Sequence, residues 1–517
     1  MRRTILLVLF AACAPKAPPP PPWKTSQLAV EGPWPKCEGV VPGTLAARAE
    51  VADWAAVALN QLPADHPWTM IYDVTLAAPA PNGVSDAPPA VEDYQSSDNS
   101  GLFSSLYLAS QAFRYATTHE AAALANVQRV LRGLELYMRV TGVPGLFTRE
   151  VRDSVTPGFL CPDDPDAYFW PPERNRNAWV KIGEDGCGTI WDGVAWQTID
   201  ACPGAEFAGL CWKRNTSRDE YSGDMFALAV VAKLVDDPLV QATVKTLARA
   251  AGDHLIAHAY AISDADGLPT RYGHTFAFSF AHFPGFLAMQ ALAWTETAMR
   301  VGASDEIAAY YDACLLQKKG KKSCIDQPIE RDSPMSYKEH MQTLPIALGS
   351  CLTNYDNVSM AALAYFESMF LEPDAAVRAE TRALVEKGLR TDQGHDVREE
   401  LNAFLNVIAA AAGERHDGAA ETMVRDAACA LAAMPAMRTQ RSVANDDVAE
   451  ICVSPRHGSI GATVRPIERR CENLFVWWRN PRARDHCDAD ARVVMQPTGY
   501  LLPYWMGRYF RFFAADD

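Results

Sequence analysis

AAALANVQRVLRGLELYM, residues Ala121–Met138, sets the architecture of this chain. Its larger apolar residues Leu124, Val127, Leu131, Leu134 and Met138 recur three or four apart, a spacing that lines them along one face of a helix. The same period predicts helices over Leu45–Leu62, Leu102–Ala116, Glu120–Val140, Glu220–Val235, Leu239–Ala261, Phe276–Val301 and Ser304–Leu315. It continues over Val358–Phe370, Ala375–Gly388, Glu399–Ala412, Gly418–Met434 and a short last helix near Tyr504–Phe512. Short connections between neighbours point to helical hairpins. No repeat of fixed length is present, which sets a solenoid aside. The arrangement left for about twelve helices in one domain is a closed ring of six hairpins, so the expected fold class is all-α, an (α/α)6 toroid.

Two stretches interrupt the helices. Residues 152–215 are rich in Pro, Gly, Cys and Trp and too long for an ordinary connection, so a disulfide-rich irregular insertion is expected there. Its Trp170, Trp179, Trp191, Trp196 and Trp212 suit either stacking on sugar faces or filling a small core. Residues Val453–Thr498 are a second irregular stretch, expected to cover the end of the domain.

The N-terminus carries a different signal. Arg2 and Arg3 precede the apolar run Ile5–Ala12, and Cys13 follows the small residues Ala11 and Ala12. That layout describes an export signal. Eight apolar residues make a helix of only ~12 Å against a bilayer core of ~30 Å. Leu9-Phe10-Ala11-Ala12-Cys13 resembles the bacterial lipobox, with Phe10 where Leu is more usual, which implies lipidation of Cys13. Residues 1–12 are then a signal peptide, 13–35 a lipidated cysteine and linker with the proline run Pro18–Pro22, and 36–517 one domain. Such a run favours extended polyproline II. Ala14, by resemblance to Gram-negative lipoproteins, implies the outer membrane.

Of thirteen cysteines, twelve remain when Cys13 is set aside, an even set that reads as disulfides in an exported protein. Cys314 and Cys324 flank a basic loop, Cys161, Cys187, Cys202 and Cys211 crowd the insertion, and Cys452, Cys471 and Cys487 crowd the second irregular stretch. No pair has the close spacing of structural zinc sites, so no metal is expected, nor any cofactor. The net charge of -15 is spread along the chain and disfavours a nucleic-acid partner.

Metalloprotease, α/β-hydrolase, Walker and dinucleotide signatures are absent. Acidic groups at helix starts stand out instead: Asp98-Asn99, Asp219-Glu220 with Asp224, Asp264 with Asp266, and Asp356-Asn357. Each has a structural alternative. Asp98 and Asp356 suit N-caps, and Ser217-Arg218-Asp219-Glu220 fits a capping box. Asp264-Ala265-Asp266-Gly267 resembles half a calcium loop, but Pro269 and Thr275 stand where an EF-hand has its Gly and last Glu, which favours a plain turn and leaves calcium at Asp264 and Asp266 as the alternative.

Several segments resemble a group of secreted bacterial (α/α)6-toroid proteins, similar to six-hairpin glycosidases. They are Ser97–Leu102 with Phe113–Ala116, Thr141–Arg149, Trp212–Glu220, Asp264–Gly273 and Leu501–Tyr509. The chain departs from that group's pattern at Ser100, Asp224, Tyr272 and Tyr355, where Asp, His, Trp and Ser are commoner. The resemblance implies a central cleft lined by the helix-start acids, with Asp98, Asp219, Glu220 and Asp356 as candidates for a glycosidic acid and base. Asn99, Asp264, Asp266, Tyr272 and Asn357 would hold a sugar, and Arg149, Arg271 and Arg508 either grip an acidic one or pair with the acids. Tyr504, Trp505 and Tyr509 suit a stacking wall or core equally. A glycoside hydrolase with a carbohydrate partner leads. A polysaccharide lyase using His274 or His282, a non-catalytic glycan-binding or scaffold lipoprotein, and a protein–protein adaptor stand behind it.

Overall fold

The computed structural model describes residues 19–170, 177–275, 284–316, 336–341, 349, 351–389, 400–440, 442–445, 447–455, 458–471, 480–484 and 486–517. The export signal, Cys13, His282 and Cys324 lie outside the described residues.

The fold is carried by α1 (Thr44–Ala58), α2 (Ser100–Thr118), α3 (Ala121–Arg139), α4 (Arg218–Leu234), α5 (Pro238–Ala257) and α6 (Pro284–Arg300). They are followed by α7 (Asp305–Tyr310), α8 (Tyr355–Leu371), α9 (Ala375–Leu389), α10 (Ala403–Gly413), α11 (Gly418–Ala433) and α12 (Thr498–Tyr509). In α3 the buried stripe holds Val127, Leu131, Leu134 and Met138 together with Val130 and Tyr137, while Leu124 is only partly buried.

Helices pair along the chain: α2 packs on α3, α4 on α5, α6 on α7, α8 on α9 and α10 on α11. The pairing closes with α12 on α1, the last long helix on the first. The even-numbered helices also meet in order, α2 with α4, α4 with α6, α6 with α8, α8 with α10, α10 with α12, and α12 with α2. These are the buried members. Nearly every residue of α4 and α8 is buried, whereas α3 and α5 keep exposed outer faces. A helix buried on all sides belongs to the core. Gly223 lets α2 and α4 approach closely, since a Cβ there would sit 2.8 Å from Leu102 Cδ1 and 3.0 Å from its backbone.

Sheets depart from the all-α expectation. The insertion is a five-stranded antiparallel sheet in the spatial order Val151–Arg152, Cys211–Lys213, Trp179–Ile182, Gly188–Trp191, Trp196–Thr198. Strands of two to four residues are too short for alternation to show against the Gly and Pro around them. Cys161–Cys211 and Cys187–Cys202 tie the sheet, Trp179 packs with Tyr168 in a small cluster of its own, and Trp212 joins the main core. Within the second irregular stretch, Asp490–Val494 pairs with Val74–Leu76 and Thr439–Gln440 in a four-stranded sheet that Val91–Tyr94 completes. Further disulfides join Cys37–Cys429, Cys351–Cys452 and Cys471–Cys487, and Cys314 is also disulfide-bonded.

Several boundaries move: the helix expected over Leu45–Leu62 ends at Ala58, and the one expected to reach Ala261 ends at Ala257. The last helix starts at Thr498 rather than near Tyr504 and carries Pro503 inside it. The described part of the expected linker 13–35 is extended at Pro21, but from Pro22 it docks: Pro22–Thr25 is helical and packs on α4, Lys24 pairs with Asp236 at 2.9 Å, and Leu28 is buried. Among the described residues no helix is long and apolar enough to cross a membrane.

Candidate functional site

The starts of α2 and α4 are held together by one guanidinium. Arg149 lies buried between them and donates through Nε to the Asn215 carbonyl at 2.7 Å. Its Nη1 reaches the Asp98 carbonyl at 2.6 Å, Asn99 Oδ1 at 3.3 Å and Glu220 Oε2 at 3.4 Å. A planar fork with fixed donors suits such bridging of two loops. Glu150, fully buried beside it, accepts from Ser96 Oγ at 2.7 Å and the Ser97 amide at 3.2 Å and so fixes the approach to Asp98.

Asp98 is exposed, and its carboxylate pairs with Lys213 at 2.7 Å. Partial burial acts to raise its pKa, but Lys213, Arg149 and a hydrogen bond from Asn177 outweigh it and hold the group below the usual carboxylate range. It does not cap α2, whose N-cap is Asn99 with no side-chain cap bond. The capping box expected at Ser217–Glu220 is also not formed: the Ser217 hydroxyl donates to Glu220 Oε2 at 2.8 Å and caps no amide. At α8 the cap is Asn354, which accepts from the amides of Asp356 and Asn357. The helix-start acids are therefore not spent on capping.

Asp219, in the first turn of α4, is partly exposed and has no hydrogen bond or ion pair among the described residues. Its neighbour Glu220 is fully buried, and burial pushes its carboxyl up to about 8. Glu220 Oε1 finds no partner. One turn on, Asp224 is buried too, raised to about 8 by desolvation, and accepts from Ser105 Oγ at 2.7 Å. Burial thus favours the protonated form of both.

The hairpin Ala261–Ser263 with Pro269–His274 flanks this loop. Asp264 turns inward and accepts from Arg214 Nε at 3.1 Å and the amides of Asn215 and Ala265 at 3.1 and 2.9 Å. Asp266 closes the turn by accepting from the Leu268 amide at 3.0 Å. Among the described residues no group of three or more His, Cys, Asp or Glu is placed to hold a metal. Arg271 and Tyr272 stand exposed on the second strand, with the guanidinium 4.9 Å over the ring.

The structure thus brings together Asp98, Asn99, Arg149, Asp219, Glu220, Asp264, Asp266, Arg271 and Tyr272. Asp356 and Asn357 are buried at the start of α8, which packs on α4. Tyr504, Trp505, Arg508 and Tyr509 lie elsewhere. Trp505 donates to Asp53 at 3.1 Å under Arg114, Arg508 donates to Tyr504 at 3.0 Å, and Tyr509 packs 5.4 Å from Phe113. Phe113 and Arg114 sit about 20 Å along α2 from its start, at ~1.5 Å per residue. Sequence reasoning did not single out Glu150, Asn177, Lys213 or Asn215. Three of them are adjacent to residues it did mark, at Arg149 and in Trp212–Glu220, but Asn177 sits in the insertion, where nothing in spacing marks it.

No family model matches this chain, and no curated protein matches it. Three solved structures are similar at low scores. A single-mutant thermostable endoglucanase from Alicyclobacillus acidocaldarius has 13% identity and a TM-score of 0.39, over 90% of this chain and 84% of that one. A Bacteroides ovatus GH9 protein has 10% identity and a TM-score of 0.35, over 90% and 83%. The cellulase Cel9M of C. cellulolyticum has 12% identity and a TM-score of 0.36, over 91% and 99%. Scores this low leave the reading of the site to its own geometry.

Proposed function

We propose that the protein is a glycoside hydrolase of the (α/α)6-toroid kind, working at the face where α2 and α4 begin. The observation that carries this is Asp219: a partly exposed carboxyl with no hydrogen bond or ion pair among the described residues, beside the network that Arg149 holds together. Glycosidic cleavage needs one carboxyl to protonate the leaving oxygen and a second to activate water or attack the sugar. Lys213 holds Asp98 below the usual carboxylate range, which suits it to the second role, and Asp219 is the candidate for the first. Glu220 and Asp224 carry protons but are wholly buried, so they act behind the site. The order in which the even-numbered helices meet supports the toroid. The reading also includes lipidation at Cys13, placing the domain at the cell envelope, in the outer membrane, with no membrane contact beyond the lipid.

A depolymerisation screen of residues Trp23–Asp517 against neutral and acidic polysaccharides tests the activity. New reducing ends are expected on at least one glycan. Binding without cleavage across the panel would replace the hydrolase by a glycan-binding lipoprotein.

A further inference from the structure

On the hairpin that flanks the start of α4, one cation is left without a carboxylate among the described residues. Five other basic residues of the site are described, and each is occupied. Arg149 is the buried clamp, Arg152 donates to Glu150 at 2.8 Å, and Lys213 pairs with Asp98. Arg214 pairs with Asp264 at 3.0 Å and lies over the Trp170 ring, and Arg218, also buried, donates to the His274 carbonyl at 3.1 Å. Arg271 differs. Among the described residues its guanidinium meets no carboxylate and rests only on the exposed ring of Tyr272, in a chain with 63 acidic against 48 basic residues.

Its place is fixed although its charge is free. The Arg271 amide donates to Asn215 Oδ1 at 2.9 Å, and Asn215 Nδ2 donates to Asn177 at 2.7 Å, which in turn bonds Asp98. At the other end of the strand, Arg218 holds His274. The strand is thereby fastened at two points to the segment that leads into Asp219, at Asn215 and at Arg218. A guanidinium stacked on a ring keeps its donors in plane and open to a planar anion. The ring beside it offers an apolar face of the kind on which a sugar stacks.

We propose that Arg271 and Tyr272 form a subsite for a carboxylate-bearing sugar, so that the substrate is a uronic-acid polysaccharide. Tyr272 takes the face of the sugar ring, and Arg271 takes its carboxylate in a bidentate pair. This names the substrate class for the glycan-cleaving reading and rests on that reading for the sugar, while the charge selection stands on Arg271 alone.

Binding of hexasaccharides of galacturonate, glucuronate and mannuronate, each compared with its methyl ester at neutral pH, tests it by calorimetry on the full chain. At least one uronate is expected to bind ten-fold or more tighter than its ester, with an advantage that shrinks as salt rises. R271A should bring that uronate to the affinity of the ester without lowering Tm, and R271K should fall between. Equal affinity for acid and ester, a preference that survives R271A, or no binding of any probe at millimolar concentration overturns the proposal. Cleavage of neutral glycans without acid preference would discard this subsite and keep the hydrolase. Acid preference without cleavage would do the reverse.

Discussion

Single residues set the protonation of this face. Glu220 and Asp224 sit one turn apart on α4, both buried and both raised to about 8, by desolvation above all. The folded chain keeps these protons where the unfolded chain releases them, near ~4.5 for Glu and ~3.9 for Asp. Their stabilising contribution is therefore full below those values and is lost as pH rises to about 8. Urea denaturation at pH 5, 6, 7 and 8 should show stability falling across that window. In E220Q, whose amide cannot ionise, the fall should be shallower, and the variant should be more stable than the parent at pH 8. An unchanged slope would mean that Glu220 is ionised in the folded protein. Arg149 is legible in the sequence only as a basic residue in a familiar-looking segment. Its work as a clamp depends on two carbonyls, Asp98 and Asn215, that no residue-type pattern encodes.

At the scale of elements, the contact of α2 with α4 positions the two exposed acids. At Gly223 that contact is close, and a methyl group there meets the backbone of Leu102. G223A is expected to cost about 1–3 kcal/mol, the usual penalty of overpacking, and to weaken turnover beyond what the lost stability explains. A Tm equal to the parent's would show that the helices have room to spare. Helices were readable because ten or more residues of 3.6 period outweigh local noise, as in Ala121–Met138. The insertion was not, since its strands are short and its register is held by Cys161–Cys211 and Cys187–Cys202, whose pairing sequence does not state. The last helix is expected only from near Tyr504, yet it begins at Thr498, carries Pro503 within it and packs against α2 and α10. Capping residues misled in the same way: Asp98 and Ser217 have the right chemistry, but their side chains turn to Lys213 and Glu220.

For the whole molecule, the first long helix meets the last. α1 packs on α12, and Cys37–Cys429 bonds the segment before α1 to α11. Residues from Pro22 onward lie on the helices, so any tether to a membrane begins close to the folded surface. Lipidation at Cys13 then predicts metabolic labelling of the full chain by palmitate in a bacterial host, with recovery in the membrane fraction. C13S should lose both the label and the membrane association. Labelling that persists in C13S would remove the lipoprotein reading and leave the fold untouched. The helix-start acids could be listed from sequence, but which of them share a face follows from helices that begin at one end of the molecule, a property of packing alone.

The most direct test of the central claim compares leaving groups. On the glycan found in the screen, D219N should lose about 10²–10⁴-fold in kcat, the contribution of a general acid, with Tm unchanged. On an aryl glycoside of the same sugar whose phenol leaves without protonation, D219N should retain most of its activity, while D98N should lose both. Full polysaccharide cleavage by D219N would contradict the account.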